Sequence, residues 1–321
     1  MFKKVLASLI KKNPQNITEK EIYAVYEHLL GRAPNTDETT HWITVRATTN
    51  RISNELQQSY ELWQKNIYKF RVLVTLTEFK IYAMQNDLSI GASIIYSKSF
   101  ESHVGNAIKK SLKPGDVFLD LGANIGFFSL LAASIVQDTG KVISVEPNMQ
   151  NLQLLYASIL ENHFTNINIL PFAASDCFQI LNLTSFGSNG LVGIPQTNQS
   201  NSQFVQSVAI DELLQNERKI SLVKLDIEGY EPLALKGIEN ILIKHNPIII
   251  SEFSPWHIVH RTQIAPKDYL RQLTQHDYSL NILEPSGDTI FNKDIDFIMD
   301  YWTRLNDDKQ HLDLIAHKNT N

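Results

Sequence analysis

Two acidic residues and two glycines form the most chemically suggestive spacing in the chain: Asp120, Gly122, Gly126 and Glu146. Asp120 closes an apolar run, the glycines follow, and an apolar stretch of helical spacing comes next, a pattern that describes a buried strand, a tight turn and a helix. Such a turn leaves bare backbone for a ligand to lie against, and the first N–H groups of the helix point into the same space. Asp120 would accept hydrogen bonds from a cationic or hydroxyl-bearing ligand. Glu146 ends the next short apolar strand, 24 positions beyond Gly122. That is close to the separation at which nucleotide-binding folds set an acid against the two ribose hydroxyls. A purely structural turn and a merely capping or solvated Glu146 are the competing readings.

These residues need a scaffold of strands and helices, and residues 117–276 supply it. Strands are expected at 117–121, 141–145, 166–172, 222–226 and 246–253, alternating with helices at 125–136, 148–162 and 267–276. That alternation calls for a parallel sheet covered on both faces. Residues 178–184 and 204–209 read as extra strands around a polar loop at 185–203, rich in Asn, Ser, Gln and Gly, which is either a lid over substrate or disordered. Residues 278–283 and 296–302 read as an antiparallel hairpin turning at Pro285-Ser-Gly287.

The first 90 residues read as a separate helical domain, with the second domain at 91–321. Thr18 and Glu21 form a capping box that opens a helix carrying Ile22, Val25, Tyr26, Leu29 and Leu30, ended by Gly31. Further helices are expected near 37–47 and 53–63, with a longer amphipathic one running to about Met84. Residues 1–12 suggest a short amphipathic helix between lysine pairs, too short for a signal core or a membrane span.

Composition bounds the partners. The chain has 321 residues, 43% hydrophobic and 20% charged, with a net charge of −5. No basic surplus exists to neutralise phosphates, so nucleic acid is not an expected partner. No stretch approaches the length of a transmembrane segment. The single cysteine, Cys177, excludes an intramolecular disulfide and a multi-thiolate zinc site, and a reducing, cytoplasmic setting is expected. Cys177 itself reads as a small buried filler.

Five blocks in order, Phe100-Glu101, Asp-Leu-Gly-Ala-Asn-Ile-Gly at 120–126, Val-Glu-Pro-Asn at 145–148 with Asn151, Ala-Ala-Ser-Asp at 173–176, and Val-Lys-Leu-Asp-Ile-Glu-Gly-Tyr-Glu at 223–231 with Ser-Glu-Phe at 251–253, resemble the FkbM-type family of S-adenosylmethionine-dependent methyltransferases. The resemblance spans about residues 95–255. It implies the α/β class I methyltransferase fold, a Rossmann-like, mostly parallel seven-stranded sheet with the last strand antiparallel, and a cofactor across the carboxyl ends of the first strands. By position, Asp120, Gly122, Asn124 and Gly126 would hold the methionine end of S-adenosylmethionine, with Glu101 near its amino group. Glu146 would take the ribose hydroxyls beside Pro147, Asn148 and Asn151, while Ala174, Ser175 and Asp176 would face the adenine. A dinucleotide competes less well, because its pyrophosphate prefers Gly-x-Gly-x-x-Gly and would be repelled by Asp120.

The same resemblance implies O-methylation of a hydroxyl on a saccharide, glycan or secondary metabolite. Asp226 or Glu228 would orient or deprotonate that hydroxyl, with Lys224 modulating the carboxylate. Alternatively Asp226, Glu228 and Glu252 would coordinate a divalent ion through oxygen. Glu228 and Glu231 could also serve only as helix caps worth about 0.3–1 kcal/mol, the role favoured for Glu231. His257, His260 and Arg261 are expected in a loop after residue 253, where they could meet an acidic or sugar acceptor or stand in solvent. A second class stays open, a scaffold with the fold but no catalysis.

Residues 18–65, with Tyr-Glu-His-Leu-Leu-Gly-Arg-Ala-Pro at 26–34 and then Trp42, resemble a small helical module often attached to bacterial surface and glycan proteins. Asn35 stands where the module has Asp. A protein or glycan partner, or simple shielding of the next domain, would follow.

Overall fold

The computed structural model describes residues 17–30, 32–57, 70–193, 202–305 and 310–319. The expected helix at 1–12, the Gly31 stop, the end of the third helix near Trp63 and residues 194–201 of the polar loop lie outside them. The chain divides into two compact units, Met1–Arg71 and Val72–Asn321.

The first unit contains α1 (Glu19–Leu30), α2 (Thr36–Thr44) and α3 (Thr49–Gln57). Thr18 and Glu21 cap each other as the sequence implies, with Thr18 N–H donating to Glu21 Oε2 and Glu21 N–H to Thr18 Oγ1. Asn35 and Glu38 repeat the device at α2. Arg32 then grips Glu38 with two parallel hydrogen bonds of 2.9 and 2.8 Å, which fixes the turn between the helices. Ile22, Tyr26, Trp42, Ile52 and Leu56 pack into one core, in which Trp42 Nε1 donates to the Tyr26 hydroxyl at 2.9 Å.

The second unit begins with strands, not with the long helix expected to reach Met84. Strands β1 (Arg71–Thr75) and β2 (Lys80–Met84) form a hairpin. Val74, Ile81 and Ala83 alternate inward, a period-two pattern that overrides the weaker helical one. A short helix α4 (Ile90–Ala92) and a π turn lead to α5 (Ser102–Ser111). Then come β3 (Val117–Leu121), α6 (Phe127–Val136), β4 (Lys141–Val145), α7 (Met149–Asn162) and β5 (Ile167–Leu170). A second sheet is inserted next, from β6 (Ala173–Ala174), β7 (Gln179–Phe186), β8 (Asn189–Gly193) and β9 (Ser202–Val208). The chain continues through α8 (Ile210–Leu213), β10 (Leu222–Leu225), α9 (Glu231–Lys236), α10 (Glu239–His245), β11 (Ile248–Phe253), α11 (Pro255–Thr262), α12 (Pro266–Gln275), β12 (Tyr278–Leu283), β13 (Thr289–Lys293), α13 (Ile295–Arg304) and β14 (Leu312–Lys318).

The main sheet has the order β13-β12-β14-β11-β10-β3-β4-β5. Strands β11, β10, β3, β4 and β5 run parallel, and β14 is antiparallel to both of its neighbours. This is the expected seven-stranded class I arrangement with β13 added at one edge. Residues 296–302, expected as a strand, belong to α13, because the Asp294 carboxylate accepts from Phe297 N–H and starts a helix. The hairpin partner of β12 is β13 instead. All five central β3 residues are buried, and register sets Asp120 beside Lys224 of β10 and Ser144 of β4.

Candidate active site

A cavity of about 310 Å³ opens at the carboxyl ends of β3, β4, β10 and β11. Glu101, Gly122, Asn124, Glu146, Pro147, Asn151, Ala174, Lys224, Asp226 and Glu228 line it, as do Glu252, His257 and His311. Of the expected cofactor residues, Asp120, Gly126, Asn148, Ser175 and Asp176 lie behind or beside this lining. Three non-glycine lining residues, Glu101, Asn124 and Glu228, have positive φ (37°, 50° and 57°), each at a cost of conformation.

The two glycines also serve the packing of the turn. A Cβ on Gly122 would fall 1.9 Å from the Asp226 carbonyl, and one on Gly126 would fall 2.3 Å from Leu155 Cδ1. Protein atoms already occupy the space that each missing side chain leaves, so the glycines let the turn pack against β10 and α7. Asp120 is buried and receives the Ser129 hydroxyl at 2.6 Å, while Ser144 donates to Ser129 at 2.7 Å. Its other oxygen, Oδ1, is buried with no hydrogen-bond partner among the described residues. Burial raises its pKa, and the Lys224 charge pulls it back.

Glu146 is held from three sides. Asn124 N–H donates to Oε2 at 2.9 Å, and Asn148 N–H and the Asn151 amide donate to Oε1 at 2.8 and 3.4 Å. Burial nonetheless pushes it up to about 7. Asn148 caps α7 through Gln150 N–H and reaches Ser185 with its amide. Asn124 and Asn151 both donate to the Ser188 carbonyl, at 3.1 and 2.7 Å.

Ser188 belongs to the stretch expected to be a polar loop, of which residues 189–193 form β8 paired to β7. Their turn reaches the cavity through Ser188, Asn189 and Gly190. Ser188 Oγ donates to Asp87 at 2.6 Å, and Asp87 also accepts from Ser89 and Gly91.

The opposite end of the cavity is a cluster of acids around one lysine. Lys224, 3% exposed, donates to Asp226 at 2.7 Å and lies 4.8 Å from the Phe128 ring centroid. Burial opposes its charge, but Asp226, Asp120 and Glu101 outweigh it and raise the pKa. Burial likewise opposes ionisation of Asp226, yet Lys224 and a hydrogen bond from Glu252 hold it below the usual range. Glu252 is therefore the protonated partner, driven far up by burial and by Asp226. Burial and then Asp226 push Glu228 up to about 7 and Glu101 up to about 8. Glu231 is fully buried, and its Oε1 accepts from Ile227 and Gly229 N–H at 2.9 and 3.2 Å. It thereby holds the turn that presents Glu228.

Sequence reasoning undervalued His257. It sits on α11 rather than in a loop, with Nδ1 3.4 Å from Glu228 Oε2 and 3.2 Å from Ser254 Oγ. Ser254 followed by Pro255 at the first helical position was the available signal. Donor atoms of Glu228, Glu252 and His257 all lie within 4.8 Å of one another, a trio in which His257 stands where Asp226 was expected. His260 is exposed and stacks on Trp256 at 4.0 Å. Cys177 is exposed, not a buried filler, and desolvation and then Asp176 raise its thiol pKa, which disfavours the thiolate.

These features fit a sulfonium nucleoside. Carboxylates favour a positive ligand, Asp120 carries an unsatisfied oxygen, and Glu146 lines the cavity at the end of the neighbouring strand. Fold and site together define an S-adenosylmethionine-dependent methyltransferase of class I. The chain belongs to the FkbM methyltransferase family, whose domain matches residues 120–280. It is 26% identical to the hexuronic acid methyltransferase AglP of Haloferax volcanii over 203 residues, 62% of this chain and 76% of that protein. Among solved structures, methyltransferase FkbM from Methylobacillus flagellatus is 16% identical, with a TM-score of 0.40 over 91% of this chain and 58% of that one. Aeropyrum pernix fibrillarin with natively bound S-adenosyl-L-methionine is 10% identical, with a TM-score of 0.40 over 77% of this chain and 98% of that one. Glu101 precedes the matched family stretch and lines the cavity.

Proposed function

We propose that the protein methylates a hydroxyl oxygen of a saccharide, with Glu228 as the base. One observation carries this reading: three neighbouring carboxyls are driven to three different protonation states. Lys224 keeps Asp226 ionised, Glu252 is kept protonated, and Glu228 alone titrates near neutral pH. A base matched to the working pH is what removal of a hydroxyl proton needs. The similarity to a protein named for hexuronic acid supports a sugar over a secondary metabolite.

Glu101, Gly122, Asn124, Glu146, Pro147, Asn151 and Ala174 would hold the cofactor, with Asp120, Gly126 and Asn148 supporting them. Bound S-adenosylmethionine supplies an electrophilic methyl group and leaves as a neutral thioether. Glu228 accepts the acceptor's hydroxyl proton, the Lys224–Asp226 pair fixes the wall beside it, and His257 orients the Glu228 carboxylate. Calorimetry with S-adenosylmethionine tests the enzyme against a silent scaffold, which need not bind it. Mass spectrometry of a saccharide panel tests the acceptor, and an acceptor methylated only on nitrogen or carbon would end the hydroxyl reading.

A divalent ion is a second reading, favoured by the convergence of Glu228, Glu252 and His257. Turnover abolished by a chelator and restored by manganese would support it, and chelator-resistant turnover would remove it.

A further inference from the structure

The acidic end of the cavity raises a question about the acceptor, because Lys224 is already paired with Asp226 and leaves little positive charge for a substrate. Arg261 does not line the cavity itself but stands beside this end of it. It lies four residues beyond His257 on α11, so the two side chains occupy one face of that helix, and His257 lines the cavity. The Arg261 charge acts on both Glu228 and Tyr230, which also line it. Its Nη1 lies 4.0 Å from where a Cβ on Gly193 would stand, which sets the guanidinium beside the strand that carries the cavity-lining Val192.

Arg261 Nε is buried and has no hydrogen-bond partner among the described residues. Among the described residues no ion pair holds the guanidinium either. A buried guanidinium donor left unsatisfied is costly, and the usual remedy is a carboxylate meeting the planar fork with two hydrogen bonds. Lysine would satisfy such a partner as a point charge only.

We propose that Arg261 reads a carboxylate on the acceptor, so that the substrate is an acidic saccharide of the uronic type and not a neutral sugar. This rests on the saccharide reading above and deepens it. Glu228 takes the proton of the reacting hydroxyl while Arg261 holds the carboxylate and fixes which hydroxyl faces the base. Without this cation an acidic sugar would meet Asp226 and Glu228 with Lys224, already paired to Asp226, as the nearest lysine.

The test uses the full chain with para-nitrophenyl glucuronide and para-nitrophenyl glucoside, which differ only in the carboxylate. Binding is read by calorimetry on protein saturated with S-adenosylhomocysteine, and turnover by mass spectrometry. The expected result is a preference for the glucuronide of about 10- to 100-fold, the worth of a charge-assisted hydrogen bond. Arg261→Gln should erase that preference mainly through KM, and Arg261→Lys should restore part of it. S-adenosylmethionine affinity measured on each variant reports whether the fold survives. Equal binding of the two sugars by the unaltered protein, or a preference retained in Arg261→Gln, overturns the proposal. Glucuronide binding that depends on Arg261 with no methyl transfer would uphold the anion site and sink the O-methyltransferase reading, which keeps the two failures apart.

Discussion

Glu228 shows how one residue acquires a role from its surroundings. Its left-handed backbone (φ 57°) and the Glu231 hydrogen bonds to flanking N–H groups turn its carboxyl toward His257, where burial and the Asp226 charge lift its pKa to about 7. A base works only when ionised, so turnover should rise with pH through about 7 and then level. Glu228→Gln should cut kcat by about 10²–10⁴-fold while leaving S-adenosylmethionine affinity within a few-fold. An unchanged kcat, or a pH profile that keeps its inflection in the variant, would assign the proton transfer elsewhere. Asp120, Glu146 and Asp226 were legible in the sequence because each lies at the end of an apolar run, and Glu228 because it follows Asp226 by two residues. His257 and Arg261 were named as residues that could meet an acceptor, but their shared helix face was hidden because a helix of eight residues opened by Ser254 and Pro255 reads as a continuation of the loop.

At the scale of elements, the β7–β8 hairpin matters most. Its turn gives Ser188, whose carbonyl receives Asn124 and Asn151, both beside Glu146. Asp87 secures the turn from the far side through Ser188 Oγ. Asp87→Ala would leave the Ser188 hydroxyl and the Gly91 N–H without their acceptor, at a cost of about 1–3 kcal/mol. We expect a lower melting temperature together with faster S-adenosylmethionine dissociation in stopped-flow mixing. A lower melting temperature with unaltered dissociation would make the latch structural only. Composition concealed this hairpin: Ser185 to Gly190 carries the residues of a loop, and the strand at 189–193 exists because β7 offers it hydrogen-bonding partners.

For the whole molecule, the carboxyls buried around the cavity couple stability to pH. Glu101 and Glu146 sit near 8 and 7 in the native state against an ordinary value of 4.5, so the folded chain holds protons that the unfolded chain has released. Stability should therefore fall as pH rises from about 4.5 through about 8. The cofactor-free protein should melt lower at about pH 8 than at about pH 6, and saturating S-adenosylmethionine should shrink the gap because its positive charge favours the ionised acids. A flat melting profile would mean that these acids are not buried as described. All cavity-lining residues fall within Val72–Asn321, and a fragment of those residues is expected to bind S-adenosylmethionine as the full chain does. Loss of binding in a folded fragment would tie the first unit to the site.

The sequence alone determined the alternation of the five parallel strands of the main sheet with helices and the acids near their tips, since apolar periodicity and strand-end position are local properties of the chain, and its motif blocks carried the resemblance to the methyltransferase family. Tertiary structure decided what local pattern cannot carry. It chose strands for residues 71–84 and a helix for residues 295–304, filled the space beside Gly122 and Gly126 with protein, and sorted the clustered acids into ionised, titrating and protonated states. Those outcomes depend on which groups meet across the sheet, and charge, burial and hydrogen-bond partners are set only once distant segments are brought together.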